Sequence, residues 1–270
     1  MWNICRSEFR TTVRQRSYYS LLLLWVAIWL LLFLLQSSAP SLTGYTHITG
    51  TIANIILYMI PLLMLITGSF SIATEIDNGQ WRLLQSYPLS TLSYVSGKIA
   101  GQFTAQVIVF TFSYGFSLLI GLITGHVLSS EWLLTIYLFS IQLILLFFIL
   151  GVTIGCVTLS RWQALITSVI IWFFFIMIWP TALIGVLGFV PYTWIAPIMK
   201  IALLINPAEF IRIQLIVGLD AGSVFGQSYD ALMTFFESPF NFSVVLLYFI
   251  LFISSNLALS ILLLERRKKR

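Results

Sequence analysis

Charged side chains are scarce in this chain of 270 residues, since Asp, Glu, Lys and Arg together account for only 9% of it. A soluble domain usually carries about 25%. Hydrophobic residues make up 59% of the chain, and a charged side chain at the centre of a bilayer costs roughly 2.5–3.5 kcal/mol on insertion scales. The shortage of charge argues against an ordinary soluble domain and predicts an integral membrane protein.

Motifs that carry chemistry are also absent. The chain has two cysteines, Cys5 and Cys156, and no Cys-x-x-Cys, so neither redox chemistry nor a disulfide is expected. It contains no His-Glu-x-x-His and no Gly-x-Ser-x-Gly, and its two histidines are isolated from each other. We therefore predict no catalytic residues and no metal site, in a protein that is not an enzyme.

Long apolar runs are what the sequence has in abundance. A helical span needs about 20 mainly apolar residues, and only a helix satisfies every backbone hydrogen bond within such an unbroken run. The sequence predicts an all-α integral membrane protein with one transmembrane domain over residues 1–270. Six windows qualify as its spans: residues 18–36, 49–72, 94–124, 132–159, 162–189 and 242–264.

The distribution of basic residues predicts the orientation. All but Lys200 and Arg212 of the 14 Lys and Arg residues fall at the N-terminus, after spans two and four, or in the C-terminal tail. Because cytoplasmic loops carry the excess of Lys and Arg, both termini are predicted to be cytoplasmic, in a multi-pass protein of the cell membrane. The net charge of +5 then indicates contact with anionic lipids, and nothing indicates nucleic-acid binding.

Residues 1–16 are predicted to form a short helix in the membrane interface. Trp2, Cys5, Phe9 and Val13 fall on one stripe at helical spacing, and a basic stripe lies beside it. That arrangement is typical of a helix lying among lipid headgroups. The alternative is a disordered basic leader that only sets the topology.

The cores of the six windows hold no Asp, Glu, Lys, Arg or His. A proton relay needs such groups, so a proton-coupled carrier or an intramembrane enzyme is disfavoured. Span three does carry a polar face, made of Gln102, Gln106, Ser113 and Ser117, with a spacing of 4, 7 and 4 residues. These side chains could line a pathway, or they could hydrogen-bond to another helix.

Pairs of glycines four residues apart mark possible close contacts between helices. Each pair fits the small-xxx-small spacing that lets two helix backbones approach, although the signal is common. The pairs are Gly97 with Gly101, Gly121 with Gly125, and Gly151 with Gly155.

A polar break, residues 73–90, separates spans two and three. Glu75 and Asp77 are expected just past the end of span two, and Asn78-Gly79 predicts a turn. About two helical turns can follow before Pro88 stops them, with Trp81, Leu84 and Tyr87 on one face. So short a helix is marginal alone in water, so the membrane or a partner must hold it. The alternative is an ordinary connecting loop.

A second irregular stretch, residues 190–241, is predicted on the external side. Its first half is apolar but too short and too broken by proline to span, which is typical of interfacial or re-entrant segments. Asn206, Pro207 and Glu209 resemble a helix start, with a cap, a first-turn proline and a first-turn acid. Arg212 lies one turn further along this helix.

The break resembles the hallmark region of the type-2 ABC exporter permeases. The resemblance is carried by Glu75-Ile-Asp77-Asn-Gly79-Gln-Trp-Arg-Leu-Leu84-Gln-Ser-Tyr-Pro-Leu-Ser90 and by Gly97-Lys98, and the six-span plan is similar throughout. Within the family, residues 203–212 are similar to the permease of the nitrous-oxide-reductase maturation transporter.

This resemblance implies partners. Two cytoplasmic ABC ATPase subunits would bind ATP and Mg, for which this chain has no Gly-x-x-x-x-Gly-Lys-Ser/Thr loop. A second permease copy would complete a dimer, and the segment before span six would form an external gate through Asn206, Pro207, Glu209 and Arg212. The short helix would be a coupling helix that docks on the ATPase. Its candidate residues are Glu75, Asp77, Gly79, Trp81, Arg82, Leu84, Tyr87 and Pro88.

Two functions are compatible with these patterns. The first is the permease subunit of an ATP-driven exporter. The second is a mechanical transmitter, which passes ATPase motion to an extracytoplasmic partner in copper-site maturation without moving solute. The sequence leaves the cargo open.

Overall fold

The chain folds into a bundle of α-helices. A computed structural model describes residues 1–37, 47–85, 89–123, 130–219 and 241–268, and these contain no β-strand. The helices are α1 (Trp2–Arg14), α2 (Arg16–Ser37), α3 (His47–Asp77), α4 (Gln80–Gln85), α5 (Thr91–Ile123), α6 (Ser130–Val157), α7 (Arg161–Phe173), α8 (Trp179–Leu187), α9 (Tyr192–Ile205), α10 (Pro207–Gly218) and α11 (Asn241–Lys268).

Five helical segments of the described chain are long and apolar enough to cross a membrane. They lie in α3, α5, α6, α7 with α8, and α11. Two further pairs qualify only if a bent pair counts as one span: α1 with α2, bent by 69°, and α9 with α10, bent by 113°. The prediction of an all-helical integral membrane protein is confirmed, with five to seven candidate spans.

Two helices begin or end differently from the prediction. Helix α3 continues to Asp77, so Glu75 and Asp77 lie in its last turn rather than beyond the span. Helix α5 begins at Thr91, where Ser90 caps it by accepting the backbone N–H of Ser93 at 3.3 Å. Lys98, which the count of basic residues placed after span two, lies inside α5.

Helices α3 and α6 have the most extensive contact of any two helices in the described part of the chain. A Cβ at Gly151 would stand 3.0 Å from the Cα of Leu65, and one at Gly68 would stand 3.1 Å from the backbone nitrogen of Val152. A Cβ at Gly155 would overlap the carbonyl of Ser69. Because glycine carries no side chain, the two backbones touch directly, as the small-residue spacing of Gly151 and Gly155 predicted.

Helix α11 closes the bundle against α6. Thr153 of α6 lies 3.0 Å from the Ser260 hydroxyl and 3.2 Å from Asn256 Oδ1. Arg267 donates to the carbonyl of Thr158 at 2.8 Å, where the carbonyls at the end of α6 need donors. These contacts bring the C-terminal residues beside the α6–α7 turn. We call this the basic end of the bundle, formed by α1, α4, the α6–α7 turn and the end of α11.

The span made of α7 and α8 contains a π-helical turn, Phe174–Ile178. In this turn the N–H of Trp179 donates to the carbonyl of Phe174, five residues back. In the same register, the carbonyl of Phe175 would accept a hydrogen bond from the backbone N–H of residue 180. Residue 180 is a proline, which has no N–H. Pro180 thus accounts both for the change of hydrogen-bond register and for the carbonyl of Phe175, which has no donor in its own helix.

Asn206 supplies the missing hydrogen bond. Its Nδ2 donates to the carbonyl of Phe175 at 2.8 Å, while its Oδ1 caps α10 by accepting the N–H of Ala208 at 2.9 Å. Glu209 of the same helix pairs with Arg212 at 3.2 Å. The start of α10 is thus fixed to the middle of the neighbouring span. Its end, Gly218, lies beside the first turns of α6.

Candidate functional site

A buried lysine organises the basic end of the bundle. Lys98 lies in the second turn of α5, and its side chain is only 2% exposed. Its ammonium lies 3.1 Å from Glu8 Oε1 of α1 and 2.5 Å from Glu75 Oε1 of α3. A buried ammonium is tolerated only when it is paired and hydrogen-bonded, and here two carboxylates from two other helices provide the pairing.

Both carboxylates use their second oxygen as well. Gln102, one turn after Lys98, donates its Nε2 to Glu8 Oε2 at 2.8 Å. Tyr94, one turn before Lys98, donates its hydroxyl to Glu75 Oε2. Glu75 lies at the C-terminal end of α3, where the helix dipole disfavours negative charge, so the bonds from Tyr94 and Lys98 are what hold its carboxylate there. We call Glu8, Glu75, Tyr94, Lys98 and Gln102 the ion cluster.

Helix α1 reaches the cluster because α5 presents glycines to it. A Cβ at Gly101 would stand 2.9 Å from the Cβ of Glu8, and one at Gly97 would stand 3.0 Å from the Cβ of Ile4. The close approach predicted for Gly97 and Gly101 is therefore used by α1. In contrast, a Cβ at Gly121 would meet no atom within 4 Å, and Gly125 lies outside the described residues.

The predicted coupling helix corresponds to α4, beside the ion cluster. Gly79 has φ +72°, a left-handed conformation that favours glycine, and it separates the end of α3 from Gln80. Trp81 packs on the ring of Tyr94 with 5.3 Å between ring centroids. Leu83 is 69% exposed. The helix is therefore anchored by one aromatic side chain and presents an apolar one outward.

The other predicted coupling residues divide into two groups. Asp77 Oδ2 accepts the backbone N–H of Arg161 at 3.5 Å, so it joins the end of α3 to the α6–α7 turn. The side chains of Arg82 and Leu84, and all of Tyr87 and Pro88, lie outside the described residues.

A polar cavity of about 560 Å³ lies next to the ion cluster, between α1, α3 and α5. Of the four polar residues predicted on one face of span three, Gln102 and Gln106 line it. The other two lie against α2: Ser113 donates to the carbonyl of Leu22 at 3.3 Å, and Ser117 donates to that of Val26 at 3.4 Å. The polar face is thus divided between a cavity and a helix–helix contact.

The structure also joins residues that the sequence did not connect. Glu8 belonged to neither predicted stripe of the N-terminal helix, and Lys98 entered the prediction only as a basic residue after span two and as part of the family motif. One available signal was the lone acid in an otherwise basic N-terminal helix. A second was a lysine four residues inside an apolar run, which requires a partner.

Comparison with known proteins agrees with this architecture. A family model described as ABC-2 family transporter protein matches residues 2–268. A probable ABC transporter permease protein NosY of Stutzerimonas stutzeri is 22% identical, over 99% of this chain and 98% of the relative. A protein with the same name from Pseudomonas aeruginosa is 23% identical, over 84% of this chain and 85% of the relative.

The chain belongs to the ABC-2 transporter family. The family resemblance predicted from the polar break is therefore confirmed, and the chain is a multi-pass membrane permease subunit of an ABC transporter. Membership of this family implies an ATPase partner.

Proposed function

We propose that this permease couples ATP hydrolysis by a separate cytoplasmic subunit to export across the cell membrane, with α4 as the coupling helix. The observation that carries the proposal is the position of α4, which packs through Trp81 on the ion cluster. A displacement of α4 would be transmitted to three helices at once, because Lys98 joins α1, α3 and α5 in the ion cluster.

The proposed topology has six spans: α2, α3, α5, α6, α7 with α8, and α11. Helix α2 has 22 residues, about 33 Å at 1.5 Å per residue, which suits a hydrocarbon core of about 30 Å. The positive-inside rule places the basic end, and with it both termini, in the cytoplasm. Helices α9 and α10, bent by 113°, would then form a re-entrant segment from the external side.

The external segment would serve as the gate. Asn206 and Pro207 start α10 against the π-helical turn, and the pair of Glu209 and Arg212 lies one turn further on. A tilt of the span made of α7 and α8 would therefore pull on α10 through the bond between Asn206 and Phe175. Two such permeases and two ATPase subunits, which bind ATP and Mg, would make up the complex.

The coupling role is tested by ATPase stimulation in the purified complex. Replacing Trp81 with alanine or Glu75 with glutamine removes the anchor of α4 or one charge of the cluster. We expect stimulation to fall about fivefold or more, equivalent to about 1 kcal/mol of coupling free energy, while complex yield is kept. Glu131→Gln, in the first turn of α6 at the opposite end, is the matched control. Unchanged stimulation in both test variants would refute the proposal.

A second function, mechanical transmission to an extracytoplasmic partner in copper-site maturation, is favoured by one observation. Beyond Gln106 the polar face of α5 is closed by the bonds of Ser113 and Ser117 to α2, so no polar path continues along it. The discriminating experiment reconstitutes the complex in vesicles and measures solute flux and partner release together. ATP-dependent release of a co-purified secreted partner without flux would favour transmission, and flux without a partner would favour export.

A further inference from the structure

Helix α1 has one side that the fold holds in place. Ile4 and Glu8 lie against the glycines of α5, and the carboxylate of Glu8 is bonded to Lys98 and Gln102. Glu8 is the only acidic residue in the helix. The one negative charge of α1 is therefore used inside the protein, at the ion cluster.

The other side of α1 carries a row of arginines. Arg6, Arg10 and Arg14 follow each other at intervals of four residues, and all three side chains are exposed. We call these three residues the arginine stripe. At about 100° per residue, Arg6 and Arg10 each lie about 200° around the helix from Glu8, so its carboxylate points away from them. None of the three forms an ion pair with a residue that the structure describes.

The arginine stripe favours an anionic partner. Side chains four residues apart on a helix are neighbours, with about 5–6 Å between their Cβ atoms, and like charges at this spacing destabilise the helix. The stripe is about 12 Å long at 1.5 Å per residue, so the partner must present negative charge over that length. Phosphate groups suit the planar guanidinium, which can donate two hydrogen bonds to one of them.

The position of the stripe indicates the membrane as the source of these phosphates. Helices α1 and α2 are bent by 69°, so with α2 as a span, α1 runs close to the membrane plane. Around the helix the stripe is bordered by Trp2, Phe9 and Val13. Phe9 and Val13 pack on the core, whereas Trp2 is 75% exposed. Tryptophan is enriched at the level of the lipid headgroups, and arginines beside apolar residues extend from that level to the phosphates.

We propose that the arginine stripe binds the headgroups of anionic phospholipids in the leaflet at the basic end, and that this binding holds α1 in place against α5. The net charge of the chain predicted contact with anionic lipids in general, whereas this site is one face of one helix and acts on the fold. Because α1 supplies Glu8 to the ion cluster, the lipid also supports the pairing of Lys98. Lipid binding does not depend on the proposed function, and only an effect on ATPase stimulation would rest on it.

The first test compares two lipids on the full-length chain in detergent, without ATP or the ATPase. Phosphatidylglycerol is the anionic probe, and phosphatidylcholine with the same acyl chains is the zwitterionic control. Native mass spectrometry gives the apparent dissociation constant of each. We expect phosphatidylglycerol to bind at least tenfold more tightly, since each basic residue near an anionic surface contributes a factor of about five in affinity. Equal affinities would overturn the proposal.

A pair of double variants locates the site. Arg6→Gln with Arg10→Gln removes two charges of the stripe, and Arg266→Gln with Lys268→Gln removes two exposed charges at the end of α11. Both pairs lower the net charge equally. The first should weaken phosphatidylglycerol binding at least tenfold and the second less than twofold. Equal losses would mean that net charge alone attracts the lipid, against the proposal. If the first pair failed to fold, Arg10→Gln alone, with an expected loss of about fivefold, would replace it.

The effect on α1 is measured through Cys5. This half-buried residue lies on the side of α1 that faces α5, so a maleimide should react with it faster when α1 moves away. In a Cys156→Ser background, nanodiscs of phosphatidylglycerol should slow the reaction at least threefold relative to nanodiscs of phosphatidylcholine. With Arg6→Gln and Arg10→Gln added, the two lipids should give the same rate. A rate in the parent background that does not depend on the lipid would overturn the claim that the lipid holds α1.

These results are separable from the coupling experiment and from an ATPase contact at the same residues. Loss of ATPase binding by the Arg6→Gln and Arg10→Gln chain in phosphatidylcholine, with unchanged affinity for phosphatidylglycerol, would assign the stripe to the ATPase and overturn the lipid site. Tight binding of phosphatidylglycerol by the parent, together with unchanged ATPase stimulation in Trp81→Ala, would support the lipid site and count against the coupling helix.

Discussion

The ammonium of Lys98 is almost fully buried, in a helix that has no other charged residue. Its position is stable only because two carboxylates and the ring of Tyr94, 5.5 Å from the ammonium, surround it. Removing Lys98 alone should cost about 3–5 kcal/mol, as is typical when one partner of a buried ion pair is lost, because the two carboxylates are left uncompensated. Removing all charges together can be nearly neutral.

This reasoning gives a prediction for Lys98→Met. We expect the single variant to lower stability by about 3–5 kcal/mol, since two partly buried carboxylates lose their shared cation. Adding Glu8→Gln and Glu75→Gln should recover much of that loss. The measurement is the thermal midpoint of the detergent-solubilised chain, with Lys200→Met on the exposed face of α9 as the control. A triple variant that is no more stable than the single one would contradict the charge explanation.

At this scale the sequence could predict only part of the cluster. Glu75 is close enough to Lys98 in sequence for both to be placed at the same break. Glu8 lies 90 residues away from Lys98, and no local pattern links two residues across two spans.

At the scale of the helices, the π-helical turn and Asn206 form one unit. The carbonyl of Phe175 has no donor within its own helix because residue 180 is a proline. The side-chain amide of Asn206, at the start of α10, donates to this carbonyl instead. A buried carbonyl left without a donor costs about 1–3 kcal/mol. The two residues should therefore be energetically coupled.

A double-mutant cycle tests this coupling. Asn206→Leu should destabilise the chain by about 1–3 kcal/mol, in addition to the loss of the cap of α10, which is typically about 1 kcal/mol. Pro180→Ala restores a backbone N–H beside Phe175, so Asn206→Leu should cost less in that background. Free energies of unfolding of the four proteins, from thermal or denaturant midpoints, give the coupling term, and a value near zero would contradict the assignment.

The contact between α3 and α6 gives a second prediction for helices. Gly155→Val would force a side chain into the carbonyl of Ser69, and overpacking of this kind typically costs about 1–3 kcal/mol. Gly115→Ala is the control, because a Cβ at Gly115 would meet no atom within 4 Å, and it should be neutral or slightly stabilising. Thermal midpoints measured side by side would settle the comparison. Equal effects of the two substitutions would mean that the close approach is not what requires glycine.

The helices themselves were largely predictable, and their ends were less so. The apolar runs of α3, α5, α6 and α11 indicated spans because a run of that length must be helical in lipid. Apolarity alone could not locate the end of α3, since its last turn contains Glu75 and Asp77 and is held by tertiary bonds. The π-helical turn was not predicted either, because Pro180 is compatible with either a kink or a change of register.

At the scale of the whole molecule, the two ends of the bundle differ in chemistry. Lys98, Arg161 and Arg267 are gathered at the basic end, whereas Glu131 and the end of α10 lie at the other. By the positive-inside rule, this asymmetry predicts that the basic end faces the cytoplasm. Helix α6 connects the two ends, so its termini are suitable places for a test.

Cysteine labelling measures that orientation. In a background with Cys5 and Cys156 changed to serine, Leu159→Cys places a thiol on an exposed residue just past α6, and Glu131→Cys places one at its start. A membrane-impermeant maleimide should label residue 159 only in inverted vesicles and residue 131 only in intact cells. The reversed pattern would place the basic end, and α4 with it, outside the cell.

The ion cluster also constrains the order in which the chain can assemble. Glu8 is synthesised 90 residues before Lys98 and Glu75 is synthesised 23 residues before it, so neither acid has its partner until α5 has been made. Contacts so distant in sequence form late, because a long loop must close first. Helix α1 therefore cannot take its final place until α5 has been made, so this part of the fold waits for the later helix.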